Sequence, residues 1–339
     1  MNDLDLVVLI VFLALLFDFF NGFNDAANSI ATIVATKVLT PFQAVAWAAF
    51  FNFISAFGFG TAVAKMIGSG MVNSEMVTPV VVLAGLVGAI FWVALASRLG
   101  LPVSASHSLV GGYGGAAVAH VGLVAGWGDS LAVLNAQNWL LMAAFIFIAP
   151  LLGLLGGGGL MIATVWLFRR HSRAQMDTYF RKLQLISSAA FSFSHGTNDA
   201  QKTMGIIVAA LFAGGYSESM EIPLWVILAA HGAIALGTLF GGWRVIRTMG
   251  DRLTKLKPVG GFCAETGGAA TVMLAASLGV PASTTHTIAG AIAGVGMVRR
   301  VRAVRWGQAR EIVGAWVLTL PITIAVGAGS YLLMHWLSL

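Results

Sequence analysis

Two aspartates, Asp25 and Asp199, lie inside long apolar stretches 174 residues apart. An ionised carboxylate in such surroundings costs at least a few kcal/mol unless it is paired or faces a polar cavity. Both stand in the same local context: Gly22-Phe23-Asn24-Asp25-Ala26-Ala27-Asn28 is matched by Gly196-Thr197-Asn198-Asp199-Ala200-Gln201-Lys202. Carboxylate, amide oxygen and free backbone carbonyl make a hard oxygen site that suits Na⁺ and does not suit a soft metal. Asn24, Asp25, Asn198 and Asp199 are its candidate ligands. A protonatable Asp would instead suit H⁺. Gly22 and Gly196 are expected to let their helices break and free carbonyls at membrane depth. On a continuous helix Asp25 shares a face with Asn28, and Asp199 with Lys202. Lys202 is the departure from symmetry: it places a cation where the first copy has neutral Asn28, so that it can contact an anion or neutralise Asp199. The plainer reading, a polar pair that fastens two helices, is weakened by the duplication.

A second motif is also duplicated. Gly100-Leu101-Pro102-Val103-Ser104-Ala105-Ser106-His107-Ser108 is matched by Gly279-Val280-Pro281-Ala282-Ser283-Thr284-Thr285-His286-Thr287. Each Pro interrupts an apolar run, so a helix should restart just after it. Ser104 and Ser283 are suited to cap that helix and are further candidate cation ligands. The first turns, Ala105-Ser106 and Thr284-Thr285, present hydroxyls beside the unpaired N–H groups and positive dipole end of a helix N-terminus, which together form an anion site. Two such tips could hold a tetrahedral oxyanion between them. The plainer reading is ordinary capping at a Pro break. His107 and His286 either donate to the site or bond to a neighbouring helix. Asp18, two helical turns before Asp25, and Glu265, within an apolar run, are secondary candidates. His195, beside Gly196, lines the site or only caps a helix.

The elements that must position these residues follow from composition. The chain has 339 residues, of which 58% are hydrophobic and 9% charged, against roughly a quarter charged in a soluble domain. A soluble enzyme, a nucleic-acid-binding domain and a disordered chain are thereby excluded. One cysteine, Cys263, excludes an internal disulfide and a multi-cysteine metal site. Apolar runs fall at about 5–36, 41–64, 77–97, 101–125, 138–168, 183–214, 222–246, 259–278, 281–298 and 310–337. The links 169–182, 244–257 (with Arg244, Arg247 and Arg252) and 299–310 are strongly basic, so they lie on the cytoplasmic side. Counting crossings puts both termini outside and turns the second half upside down relative to the first. The expected fold is an all-α integral membrane protein with about 10–12 transmembrane segments, broken or hairpin helices among them. It comprises a first inverted repeat at 1–168, a basic linker at 169–182 and a second repeat at 183–339. Inverted repeats mark secondary transporters with a midplane site at the repeat interface. The Gly-rich stretch 153–159 is a packing face, either internal or between the subunits of a homodimer.

At these duplicated motifs the sequence resembles the inorganic phosphate transporter family, whose hallmarks are a Gly-x-Asn-Asp-x-x-Asn-type and a Pro-Val-Ser-x-x-His-type motif, each present twice. The resemblance runs over nearly the whole chain. It implies import of inorganic phosphate with Na⁺ or H⁺; some bacterial members that resemble the family closely carry sulfate, and some carry a neutral metal–phosphate complex with H⁺. By motif, it implies that Asp25, Asn28 and Asp199 bind substrate and cation, and that Ser104, Ser106, Ser283, Thr284 and Thr285 form hydroxyl-rich tips that hold the anion. Two departures stand out: the first tip has one hydroxyl fewer, with Ala105 opposite Thr284, and the long central cytoplasmic domain of some members is missing.

The expectation is therefore a secondary active transporter and not an enzyme. It would work by alternating access in a lipid bilayer, a bacterial inner membrane, and take inorganic phosphate with Na⁺ favoured over H⁺. It needs no cofactor besides that coupling ion and binds no nucleic acid. A sulfate permease of the same fold is the nearest rival; a passive anion channel is a remote one.

Overall fold

The computed structural model describes residues 3–58, 60–251 and 253–337. Arg252, counted above in a basic link, lies outside them. Helices follow one another along the chain: α1 (Asp3–Ala35), α2 (Pro41–Ile54), the short α3 (Ala62–Lys65), α4 (Pro79–Leu99), α5 (Ala105–Val124), α6 (Ala136–Leu167), α7 (Arg173–Ala213), α8 (Leu224–Phe240), α9 (Trp243–Asp251), α10 (Pro258–Ser277), α11 (Thr284–Arg299) and α12 (Trp306–Trp336). Among the described residues the only β-type pairing is an isolated bridge between Val72 and Leu134.

The helix starts follow local chemistry. Thr40 and Ser172 form capping boxes with Gln43 and Gln175, and Thr78 caps α4 just ahead of Pro79. The two Pro-Ser tips behave alike. α4 ends at Gly100, whose φ of 75° few residues besides glycine adopt, and Gly279 repeats this after α10 with φ 72°. The chain then runs non-helically through Pro102 or Pro281, and α5 and α11 begin after Ser104 and Ser283.

Helices α1, α4, α6, α10 and α12 are each long and apolar enough to cross a membrane. The runs 41–64 and 222–246 are bent, by 81° between Pro41–Phe57 and Ala62–Gly70 and by 74° between Leu224–Phe240 and Trp243–Gly250. Counting each bent pair as one gives seven candidate spans; α5, α7 and α11 account for the remaining apolar runs. The exterior is apolar: Leu140, Phe147, Leu151, Leu155, Ile162 and Val165 of α6 are exposed. The interior is polar, with Asp18, Asn24, Asp25, Asn28, Asp199, Lys202 and Glu265 all at most 1% exposed. That distribution suits lipid outside and a polar site inside.

The same packing recurs in both halves. α5 lies against α4 and α12, and α11 lies against α10 and α6, so each tip helix packs on the last helix of the other half. The glycine faces read from the sequence make this possible: a Cβ on Gly115 would meet the Ile324 carbonyl oxygen at 2.2 Å, and one on Gly294 the Leu154 carbonyl at 2.2 Å. Within the stretch 153–159, Gly153 and Gly157 back onto α11 and Gly156 onto Gly267 of α10.

One expectation is corrected. α1 and α7 do not break at Gly22 and Gly196; both run through as continuous helices. The glycines serve close approach instead. A Cβ on Gly22 would lie 2.1 Å from the Ile234 carbonyl oxygen of α8, and one on Gly196 would lie 2.6 Å from the Asn52 carbonyl oxygen of α2.

Candidate functional site

α1 and α7 pack side by side in the interior, and the tips of α5 and α11 meet them there. Because α1 and α7 carry their polar motif at the same level, Asp25 and Asp199 come to one cluster. The Thr284 hydroxyl lies 3.3 Å from Asp25 Oδ2 and 3.5 Å from Asp199 Oδ2, so the α11 tip bridges the two carboxylates. Thr285 Oγ1 lies 3.3 Å from Asp25 Oδ1 and 3.2 Å from the Val103 carbonyl oxygen. Asn28 donates from Nδ2 to Thr285 Oγ1 at 2.9 Å. On the other side Lys202 Nζ donates to Asp199 Oδ1 at 2.6 Å and to Ser106 Oγ.

His195 completes the cluster. Its Nε2 lies 3.8 Å from Asp25 Oδ2 and 3.5 Å from Asp199 Oδ2. Asn52 donates to Thr238, and its Oδ1 lies 3.2 Å from His195 Nδ1. That contact holds the ring with Nε2 turned toward the two carboxylates. One ring nitrogen of His195 and one oxygen of each carboxylate lie within 4.8 Å of one another. Such a convergence calls for a cation or for a hydrogen-bond donor among them. The amide oxygens of Asn24, Asn28 and Asn198 are also buried without a hydrogen-bond partner among the described residues, and orphaned acceptors of that kind fit a hard cation.

The candidate residues do not all reach this cluster. Asp25, Asn28, Ser106, Asp199, Lys202, Thr284 and Thr285 are brought together. Asn24 turns its amide to Ser97 Oγ at 2.8 Å, and Asn198 donates to the Ala282 carbonyl at 2.8 Å and to Asp199 Oδ1 at 2.9 Å, so both tie a carboxylate helix to a tip or to the helix before it. Ser104 and Ser283 accept from the His107 and His286 backbone N–H groups, which shapes the tips. Ala105, in the place of Thr284, offers no side-chain donor. His107 and His286 face each other with ring centroids 5.0 Å apart, and His286 stacks on Trp316 at 3.9 Å, away from the carboxylates. Asp18 is buried and accepts from Asn21.

Glu265 belongs to a separate buried cluster. It accepts from Thr32 at 2.5 Å, from Gln184 at 2.9 Å and from Ser187. Thr32, Gln184 and Ser187 were not singled out from the sequence, nor were Ser97 and Asn52. A signal existed: Gln184, Ser188, His195, Asn198 and Lys202 recur at helical spacing through an otherwise apolar run.

Comparison with known proteins adds to this geometry. The profile of the phosphate transporter family matches residues 21–327. A protein of Rhizobium meliloti (strain 1021), named a probable low-affinity inorganic phosphate transporter, is 50% identical over 327 residues, 96% of each chain. A relative of the same name from Bacillus subtilis (strain 168) is 39% identical over 333 residues, 97% of each chain. A solved structure described as the sodium-dependent phosphate transporter matches with a TM-score of 0.89 at 27% identity, covering 98% of this chain and 99% of that one.

Proposed function

The chain belongs to the phosphate transporter family, and we propose that it imports inorganic phosphate by cation symport, with Na⁺ as the favoured partner. The site is the cluster of Asp25, Asn28, Ser106, His195, Asp199, Lys202, Thr284 and Thr285. In this reading residues 1–168 and 183–339 are inverted repeats joined by the linker 169–182, and they rock about the cluster to expose it to either side of a bacterial cytoplasmic membrane in turn.

The observation that carries the proposal is the fixed charge of the cluster. Two carboxylates face one ammonium within hydrogen-bonding distance of the tips, so with both ionised the carboxylates exceed the ammonium by one negative charge. At an effective dielectric of 20 and roughly 5 Å, each unit pair costs about 3 kcal/mol, so a divalent anion is opposed until a cation enters. Cation and anion then enter together, which is symport. The carboxylate oxygens Asp25 Oδ2 and Asp199 Oδ2, which face the Thr284 hydroxyl, also favour an anion that carries its own proton. Phosphate does at neutral pH, and sulfate does not. The relative described as sodium-dependent supports Na⁺ as the first cation to test.

The test is labelled phosphate uptake into proteoliposomes under an inward Na⁺ gradient, an inward H⁺ gradient, or neither, with cold sulfate as competitor. The expected result is concentrative uptake driven by Na⁺ and little affected by sulfate. An H⁺-driven result replaces the coupling ion, strong sulfate competition replaces the substrate, and equilibration without a gradient overturns symport.

A further inference from the structure

The duplicated motifs build two oxygen cages, and only one of them holds a cation of the protein's own. In the first, Lys202 Nζ lies 2.6 Å from Asp199 Oδ1 and 3.5 Å from the Ala282 carbonyl oxygen, and donates to Ser106 Oγ. The repeat maps these residues one by one onto Asn28, Asp25, Val103 and Thr285. Those four make the second cage: Thr285 Oγ1 is 3.3 Å from Asp25 Oδ1, 3.2 Å from the Val103 carbonyl and 2.9 Å from Asn28 Nδ2. Carboxylate, hydroxyl and backbone carbonyl are present in both. The difference is the residue on the next helical turn: an ammonium in one, and in the other an amide whose Oδ1 is buried with no partner among the described residues.

We infer that Lys202 is a tethered stand-in for a coupling cation: its ammonium fills the Asp199 cage permanently, and only the Asp25 cage takes up a mobile ion. The consequence is stoichiometric. A tethered charge is always at its site, so phosphate needs one ion fewer to be bound. That same charge does not cross with the substrate, so the protein draws on one ion fewer to drive accumulation. The inference rests on the symport reading above and names how that site is shared between protein and ion.

Replacing Lys202 with the residue of the other half, Lys202→Asn, should open the Asp199 cage to a second ion. The measurement is the limiting phosphate accumulation in proteoliposomes against an imposed Na⁺ gradient, repeated with an H⁺ gradient, the membrane potential being held at zero. A tenfold ion gradient supplies about 1.4 kcal/mol for each ion carried, so Lys202→Asn should accumulate about tenfold more phosphate at the limit than wild type. Phosphate binding to the purified variant should depend on cation concentration with an order higher by one, which can be read even where turnover is lost. The reverse change, Asn28→Lys, should lower that order by one, and it decides the matter where Lys202→Asn does not fold. Unchanged order in a variant that binds phosphate would overturn the inference, as would loss of binding in Lys202→Asn that no cation concentration restores. A wild type that shows no gradient-driven uptake would instead refute the symport reading itself.

Discussion

Asp25 and Asp199 stand in matching sequence, yet their replacement by Asn should have unequal consequences for stability. Asp199 lies 2.6 Å from Lys202 Nζ, and both side chains are 1% exposed. At that separation and an effective dielectric of 20 the attraction is about 6 kcal/mol, and removing one member of a buried pair costs about 3–5 kcal/mol because the other charge is stranded. Ser106 Oγ remains to receive the ammonium in Asp199→Asn, so the lower end, about 3 kcal/mol, applies. Asp25 has the Thr284 and Thr285 hydroxyls and the His195 ring as neighbours, while the Lys202 ammonium is paired with Asp199. Asp25→Asn therefore leaves the Lys202 ammonium paired and should cost clearly less than Asp199→Asn. The assay is thermal unfolding of the detergent-purified variants, followed by loss of the monodisperse chromatographic peak. Asp199→Asn should melt clearly below wild type and below Asp25→Asn, and Asp199→Asn combined with Lys202→Met should recover much of the loss. Equal destabilisation by the two single variants, or no recovery in the double, would refute the pairing argument.

Two further outcomes follow from the same contacts. Ser104→Ala and Ser283→Ala each remove a side-chain acceptor from a tip N-terminus; each should cost about 1 kcal/mol, with Ser283→Gly nearly neutral, as read by the same thermal assay. Glu265→Ala removes the acceptor of the Thr32, Gln184 and Ser187 donors and should cost about 2–4 kcal/mol, more than Thr32→Val alone, because Thr32 and Gln184 are orphaned together while Ser187 keeps the Gln184 carbonyl.

Much of this arrangement is legible in the chain before any coordinates. Intramembrane charge is costly, so Asp25 and Asp199 announce themselves by type and surroundings, and their duplication pairs them. Pro followed by Ser fixes where α5 and α11 restart, since both signals are local. What escaped the sequence depends on contacts far along the chain. The amide of Asn24 finds Ser97 across 73 residues, and Glu265 gathers Thr32 and Gln184 across 233 and 81. Nothing local marks such partners. Gly22 misled for a related reason: a glycine in a helix reads equally as a break or as a close approach, and only the position of the Ile234 carbonyl decides. His195 reads in the sequence as lining the site or only capping a helix, because the residue that orients its ring, Asn52, lies on another helix.

The central claim is that phosphate and its cation meet at the Asp25–Asp199 cluster. Phosphate binding to the purified protein, titrated at several Na⁺ and H⁺ concentrations in wild type and in Asp25→Asn, tests it most directly. Linkage requires that a cation which strengthens phosphate binding be strengthened by phosphate to the same degree. The predicted result is binding that tightens with the cation in wild type and loses that dependence in Asp25→Asn. Phosphate affinity in wild type that is indifferent to both cations, or an Asp25→Asn variant that keeps the full dependence, would contradict the account.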